Sequence, residues 1–156
     1  MTTVWRPTIR YAVMAWFGFG LAWSIAAPFW LVRPVAEAWA MVINFGGTPS
    51  ADLIRQSTSF ATTFLWVWSA VTAIIDVVVL AGAVRRSDWT YAFANLYLGL
   101  WAVPFVSDVS DIQYWGGKFA FSPMWADVVV SSFAGVSTAL GAWMLIAVVL
   151  KLRHNR

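Results

Sequence analysis

The side chain with the clearest chemical potential is Asp76, a carboxylic acid inside the apolar run 60–84. Thr72 and Ser69 precede it by four and seven residues, so a helix would carry all three on one polar stripe. An ionised carboxylate inside a bilayer is costly, and such groups are candidates for function. Because no Lys or Arg is expected at this depth, we expect Asp76 to be protonated, or to meet a cation or a cationic ligand. The alternative is an interhelical hydrogen bond that fixes packing.

Other side chains could complete a ligand-binding site around Asp76. Asn95, in the next apolar run, is expected at a similar depth and could hydrogen-bond the carboxyl group. Trp23 and Trp101 belong to a set of 12 tryptophans and lie away from the expected membrane boundaries. Buried indoles supply large flat contact surfaces and need a partner for the N–H group. The pattern predicts an aromatic-lined cavity for a lipid, sterol-like, polyene or quinone-like ligand, or, more simply, helix packing and lipid contact.

Several kinds of chemistry are excluded by residues that the sequence lacks. There is no cysteine, and His154 is the only histidine. Thiol redox chemistry, Cys-ligated clusters, a bis-His haem and a histidine proton relay therefore have no residues to form them in this chain. The sequence also has no P-loop, no G-x-S-x-G and no metal-ligand cluster. We expect no catalytic residue, no metal and no cofactor other than an apolar ligand or pigment.

Four apolar runs position these residues, and each is long enough, or nearly so, to cross a bilayer, which needs about 20 apolar residues in a helix. Hydrophobic residues make up 61% of the chain and charged residues 11%, whereas an average soluble domain has about 45–50% and about 25%. We predict one all-α membrane domain over residues 1–156, a polytopic four-helix bundle. The predicted spans are about 11–32, 60–84, 90–107 and 125–150, with outer loops 33–59 and 108–124.

The first outer loop is predicted to contain structure of its own. Residues 35–45 have the pattern of a short amphipathic helix lying at the membrane interface. Arg33-Pro34 is expected to end the first span, and Thr48-Pro49 is typical of an N-cap followed by proline at the first helical position. From there the helix could continue unbroken into the second span and project beyond the membrane. A break near residues 57–59 is the alternative.

Basic residues gather on one side of the predicted membrane. Seven of the ten lie before the first span, between the second and third, or after the fourth, and three lie in the outer loops. The positive-inside rule then places both termini in the cytoplasm, and we expect a bacterial inner membrane. The net charge of +3 requires no nucleic-acid partner, because basic segments beside a membrane attract anionic lipid. The expected partners are the lipid bilayer and other membrane subunits or further copies of the chain.

Two similar stretches indicate an internal repeat. Residues 11–23 precede Ala27-Pro28-Phe29, and residues 91–101 precede Val103-Pro104-Phe105. Two hairpins in the same orientation would be parallel repeats, which occur in transporters. The alternative is a chance similarity between aromatic-rich apolar helices.

Small residues spaced by four predict faces on which membrane helices approach closely. The partner of such a face could be another helix of the chain or another subunit. The sets are Gly18, Ala22 and Ala26 on the first span, and Ser131 with Gly135 and Ser137 with Gly141 on the fourth.

Residues 89–111 resemble the SPW-repeat family of small bacterial membrane proteins. The resemblance rests on Asn95-Leu-Tyr-Leu-Gly99-Leu-Trp101 followed by Pro104-Phe105. That family pairs an N-x-x-x-G-x-W stretch with a Ser-Pro-Trp motif, which here reads Ala102-Val-Pro104-Phe. The resemblance implies an architecture of membrane helices and no particular activity.

The layout is also similar to that of the EXPERA group of sterol isomerases and sigma-2-type receptors. Those proteins have four or five helices, a long first outer loop, and acidic residues at a sterol-like or amine pocket. The similarity implies that Asp76 stands where such an acid stands. The histidine and paired carboxylates that isomerase chemistry would need are missing from the predicted helices.

Three functions are compatible with these features. The first is a non-catalytic structural or accessory subunit that packs against other helices, lipids or apolar pigments. The second is a binding protein or isomerase-like enzyme for an apolar ligand, with Asp76 contacting a polar or cationic group. The third is a small oligomeric transporter that uses Asp76 as its ion or proton site.

Overall fold

The computed structural model describes residues 5–44, 47–103, 106 and 124–154, and this part of the chain is all-helical, as predicted. Three helices are long and apolar enough to cross a membrane, in agreement with the predicted membrane protein. In chain order the helices are α1 (Pro7–Trp30), α2 (Val32–Ile43), α3 (Ala51–Arg85), α4 (Asp88–Leu100) and α5 (Met124–His154).

The predicted span 90–107 corresponds to α4, which is shorter than α1, α3 and α5. Helix α4 has 13 residues and ends at Leu100, so it covers about 20 Å at 1.5 Å per residue. A full crossing of the hydrocarbon core requires about 30 Å. Residues 104–105 and 107 of this span lie outside the described ranges, so a fourth crossing stays a prediction.

The junction between α1 and α2 lies slightly before the predicted end of the first span. Helix α1 ends at Trp30, and α2 begins at Val32. Arg33 and Pro34 therefore lie in the first turn of α2 instead of ending α1, and proline is tolerated there because first-turn N–H groups have no intrahelical partner. The predicted helix over residues 35–45 is present as α2, which covers Val32–Ile43, and residue 45 lies outside the described part.

The start of α3 resolves the two alternatives for the second span. The helix runs unbroken for 35 residues, about 52 Å at 1.5 Å per residue, so it projects well beyond a hydrocarbon core of about 30 Å. Its N-cap is Ser50, whose side chain accepts a hydrogen bond from the Leu53 N–H at 3.2 Å. The prediction of Thr48 as the N-cap is wrong, because Pro49 precedes the cap and the first helical residue is Ala51.

The helices associate as two neighbouring groups. Helices α1 and α2 both pack along α3, and α4 packs mainly along α5, while α3 and α4 meet near their connecting turn. At that meeting point Gly82 lies so close to the Thr90 side chain that a Cβ atom on Gly82 would overlap it. At the contact between α4 and α5, a Cβ atom on Gly141 would lie 3.2 Å from Leu98 Cβ. Glycine thus allows a close approach at both contacts, and an added Cβ atom would overlap a neighbour at Gly82.

Buried side chains and hydrogen bonds hold together the end of the molecule that contains the α3–α4 turn. Trp5 donates its indole N–H to the Ser87 carbonyl at 2.9 Å and packs edge-on against the Tyr91 ring at 4.9 Å. Tyr91 in turn donates its hydroxyl to the Met144 carbonyl at 2.8 Å. These contacts join the N-terminal lead, the turn, α4 and α5 into one packed end.

Charge is distributed unequally between the two ends of this helical assembly. Arg33 and Arg55 lie at the α2 end, where they form short-range ion pairs with Glu37 at 2.8 Å and Asp52 at 3.4 Å. The other basic residues of the described chain lie at the opposite end, near the start of α1 and the ends of α3 and α5. This basic end contains Arg6, Arg10, Arg85, Arg86, Lys151 and Arg153.

Candidate ligand-binding site

The polar floor of the candidate site is formed where α3 crosses the face of α1 at Gly20. The Asp76 side chain is buried there, with 5% of its surface exposed. A Cβ atom at Gly20 would lie 3.1 Å from each Asp76 carboxyl oxygen. The carboxyl group therefore lies directly against the α1 backbone, and a Cβ atom at position 20 would require it to shift.

Three hydroxyl groups extend the polar floor along the α1–α3 contact. Ser24 Oγ and Thr72 Oγ1 are hydrogen-bonded at 2.8 Å, and either hydroxyl can donate. Ser24 also lies next to the Asp76 carboxyl. Ser69, one helical turn before Thr72, is buried with 5% exposure. The predicted polar stripe of α3 is therefore real, and it faces α1.

A cavity of about 650 Å³ lies above this floor, in the half of the molecule towards α2. Its walls are aromatic. On α1, the rings of Trp16 and Phe19 lie 5.8 Å apart, and those of Phe19 and Trp23 lie 6.4 Å apart. On α3, the rings of Phe64 and Trp68 are stacked at 6.2 Å. Polar groups are thus gathered at one end of a largely apolar space.

The cavity is bounded on its other sides by α4 and α5. Tyr97 and Trp101 of α4 line it with rings edge to face at 6.5 Å, and Phe133 of α5 contacts both Trp101 and Trp16 at 4.8 Å. Trp16 also donates its indole N–H to the Ser137 hydroxyl at 3.0 Å, which joins α1 to α5. Two of the tryptophans that line the cavity are half-exposed, since Trp23 is 41% and Trp68 is 51% exposed.

Five of the six residues predicted for the site line this one cavity. They are Asp76, Thr72, Ser69, Trp23 and Trp101. Asn95 does not, and the predicted hydrogen bond from Asn95 to Asp76 is wrong. Asn95 instead donates its side-chain N–H to the Gly141 carbonyl at 2.7 Å, because α4 turns this face towards α5. Asn95 therefore joins two helices outside the site.

The residues that sequence reasoning missed lie mainly on α1. Gly20 and Ser24 form the face that meets α3, whereas the predicted small face of Gly18, Ala22 and Ala26 is rotated away from it. Gly18 has no atom within 4 Å of a Cβ position. Apolar residues surround α1 on all sides, so hydrophobic periodicity could not indicate which face packs. The spacing of four between Gly20 and Ser24 was the available signal.

The second set of small residues behaves differently. Ser137 is fully buried and accepts the Trp16 indole N–H. Gly141 lies against Leu98, as described above, so both residues contact helices of this chain. This part of the small-residue prediction is a contact within one subunit.

The chemical groups within reach of the cavity are few. Its described lining contains one carboxyl group, the hydroxyls of serine and threonine, the Tyr97 phenol and indole N–H groups. In the part of the chain that the structure describes, no group of three or more His, Asp and Glu side chains could hold a metal ion. The arrangement can hold an elongated apolar molecule and hydrogen-bond its polar end.

Comparison with known proteins finds no relative of this chain. No protein-family model, curated protein or solved structure matches the chain. The resemblances to the SPW-repeat and EXPERA proteins therefore stay predictions, and the functional argument rests on the cavity itself.

Proposed function

We propose that this protein binds an elongated, largely apolar molecule from the membrane, with the polar end of that molecule at Asp76. The observation that carries the proposal is the cavity of about 650 Å³, which has aromatic walls and gathers its polar groups at one end. Ligand sites of about 300–1,000 Å³ with mainly apolar linings and a few convergent polar groups are typical of small-molecule binding.

The shape of the cavity favours a long ligand over a compact one. Its lining extends along α3 from Phe64 to Asp76, which corresponds to about 18 Å at 1.5 Å per residue. Along this length the side chains change from aromatic rings to hydroxyls and then to the carboxyl. A molecule with a flat or flexible apolar body and a polar head matches this order of side chains along the cavity.

Binding is better supported than chemical conversion of the ligand. Isomerisation by general acid–base catalysis needs a group that gives and takes the proton within hydrogen-bond reach, and donors that stabilise the charge that develops. Among the described lining residues, Asp76 is the one carboxyl group, and no histidine accompanies it. The arrangement therefore matches recognition of a polar head.

The membrane arrangement that we propose is a four-helix bundle of α1, α3, α4 and α5, with α2 at the interface. The pairing of α1 with α3 and of α4 with α5 supports two hairpins in the same orientation. The concentration of basic residues at the end that holds the start of α1 and the end of α5 supports a cytoplasmic location for that end and for both termini. A bacterial inner membrane is the corresponding proposed location.

The binding proposal can be tested by filling the cavity. The purified protein in nanodiscs of zwitterionic lipid is titrated with a long-chain alcohol brominated near its tail, and tryptophan fluorescence is recorded. We expect saturable quenching for the wild type, because cavity tryptophans would contact the bromine. Ser69→Phe places a large ring in the cavity and should abolish saturation, whereas Ala70→Phe, on an exposed neighbouring position, should preserve it. Identical linear quenching in all three proteins would contradict the proposal.

A second candidate is the accessory-subunit function, and the outward face of α1 favours it. Gly18, Ala22 and Ala26 lie on a surface with no packing partner in the described chain. Small-residue faces are common at helix–helix contacts in membranes. Native mass spectrometry after gentle extraction tests this candidate. A partner in fixed ratio that is lost in Gly18→Leu would support it, and an unchanged monomer in both proteins would contradict it.

A further inference from the structure

The Asp76 carboxyl lacks an ion-pair partner in the described chain. The ion pairs there are Arg33–Glu37 and Arg55–Asp52, both far away at the α2 end. The next basic residue along α3 is Arg85, about 13 Å away at 1.5 Å per residue. A carboxylate in this position therefore has hydroxyls and backbone around it but no compensating charge, and an opposite charge nearby would favour its ionised form.

Aromatic side chains, which attract cations, line the same cavity as the Asp76 carboxyl group. Tyr97 lies close enough to experience the charge of Asp76, and Trp16 and Trp101 line the same cavity. The faces of tryptophan and tyrosine rings carry negative charge density, and they attract ammonium groups more strongly when water is excluded. A carboxylate and several aromatic side chains that line one cavity are complementary to one positive charge.

The contact with Gly20 limits the directions from which a ligand can approach the Asp76 carboxyl group. The α1 backbone supports one side of the carboxyl group, and the Ser24 hydroxyl, which is also hydrogen-bonded to Thr72, lies beside it. The remaining side of the carboxyl belongs to the cavity lining. A donor that enters the cavity can therefore reach it, and hydrogen bonds to a charged group are stronger than neutral ones.

On this basis, which rests on the proposed function, we propose that the polar end of the ligand is a protonated amine. Its N–H group donates to the Asp76 carboxylate, while its apolar body lies between the aromatic walls of α1 and α3. The competing arrangement is a neutral carboxylic acid at Asp76 that donates to a hydroxyl or carbonyl oxygen of a neutral ligand. The two arrangements differ in their preference for charged and neutral heads on the same tail.

The test uses two probes that share one brominated alkyl chain, a primary amine and the corresponding alcohol. Both are titrated against the protein in nanodiscs of zwitterionic lipid, with empty nanodiscs measuring simple partition. We expect the wild type to bind the amine about tenfold more tightly than the alcohol, a difference of about 1.4 kcal/mol. Asp76→Asn should remove this preference, so that the amine and the alcohol bind with equal affinity. Asp88→Asn, which removes an exposed carboxyl from the α4 start, should keep the preference.

A second variant probes the support of the carboxyl without changing any charge. Gly20→Ala adds a methyl group 3.1 Å from both carboxyl oxygens, so the carboxyl must shift and amine binding should weaken about threefold or more, within the range for a disturbed charged hydrogen bond. Gly18→Ala adds the same group where nothing lies within 4 Å and should leave amine binding unchanged. Thermal unfolding of each variant confirms that it is folded.

The outcomes separate this inference from the proposed function. Equal affinity for amine and alcohol in the wild type, unaffected by Asp76→Asn, would overturn the amine assignment while leaving the ligand cavity intact. Failure of both probes to quench saturably would reject the binding function itself. Loss of the amine preference in Asp88→Asn as well as Asp76→Asn would show that the preference reflects surface charge, and would also overturn the assignment.

Discussion

Gly20 of α1 and Asp76 of α3 are in direct contact, with the carboxyl group lying over the glycine Cα where a side chain would otherwise stand. This contact places a buried acid at the floor of an aromatic cavity and leaves it without a basic partner in the described chain. The proposed ligand site and the proposed amine selectivity both follow from this placement.

The closest contact between α3 and α4 should be sensitive to one methyl group. Gly82→Ala would overlap the Thr90 side chain, so we expect destabilisation of about 1–3 kcal/mol, as for overpacked cores. Thermal unfolding in detergent measures the change. Gly99→Ala is the control, because nothing lies within 4 Å of a Cβ atom there. A double variant with Thr90→Ala should recover much of the loss, and no recovery would contradict the steric explanation.

The hydrogen bond that holds the N-terminal lead should contribute measurably to stability. Trp5→Phe keeps an aromatic ring beside Tyr91 but removes the donor to the Ser87 carbonyl. We expect a loss of about 0.5–1.5 kcal/mol, the net value of an ordinary hydrogen bond. The matched control is Trp89→Phe, because Trp89 is 64% exposed. Equal unfolding temperatures for both variants would show that the indole N–H is dispensable.

Tyr91 should stabilise the packing of α4 on α5 through its hydroxyl. Tyr91→Phe removes the hydrogen bond to the Met144 carbonyl, at 2.8 Å in a buried position. Interhelical hydrogen bonds in membrane proteins contribute about 0.6 kcal/mol on average and up to about 1.7 kcal/mol, and we expect a loss in this range. Tyr11→Phe, at a 60% exposed residue, should change the unfolding free energy less, and the opposite order would contradict this account.

The contact between α1 and α5 depends on a side-chain pair whose energy can be isolated. Trp16 donates to the Ser137 hydroxyl at 3.0 Å. In a double-mutant cycle of Trp16→Phe and Ser137→Ala, we expect a coupling energy of about 0.6 kcal/mol, as for other membrane hydrogen bonds. Purely additive changes would show that the two side chains act independently.

Much of the architecture could be predicted from the sequence, because membrane helices must be long and apolar. The three long helices, the amphipathic α2 and the polar stripe of Asp76, Thr72 and Ser69 all follow from hydropathy and helical period. The side-chain pattern also allowed a continuous α3. The exact helix starts depended on local capping, and there Ser50 rather than Thr48 provides the first hydrogen bond.

The partners of the polar residues could not be predicted in the same way. Which face of α1 meets α3 depends on close packing, and a helix that is apolar all round gives no periodic signal for it. Gly20, rather than Gly18, supports Asp76 for this reason. Asn95 was expected at the depth of Asp76, but depth fixes only the position along the membrane normal and leaves the rotation of α4 open. The sequence predicted an aromatic-lined cavity, but the set of residues that line it depends on how four helices are arranged, which a linear pattern does not specify.

The most direct test of the ligand cavity is native mass spectrometry of the protein released gently from its own membrane. The account predicts a discrete amphipathic mass bound to the wild type and to Ala70→Phe, and its loss from Ser69→Phe. A wild-type protein without any retained amphiphile, or equal retention in Ser69→Phe, would contradict the claim that this cavity is a ligand-binding site.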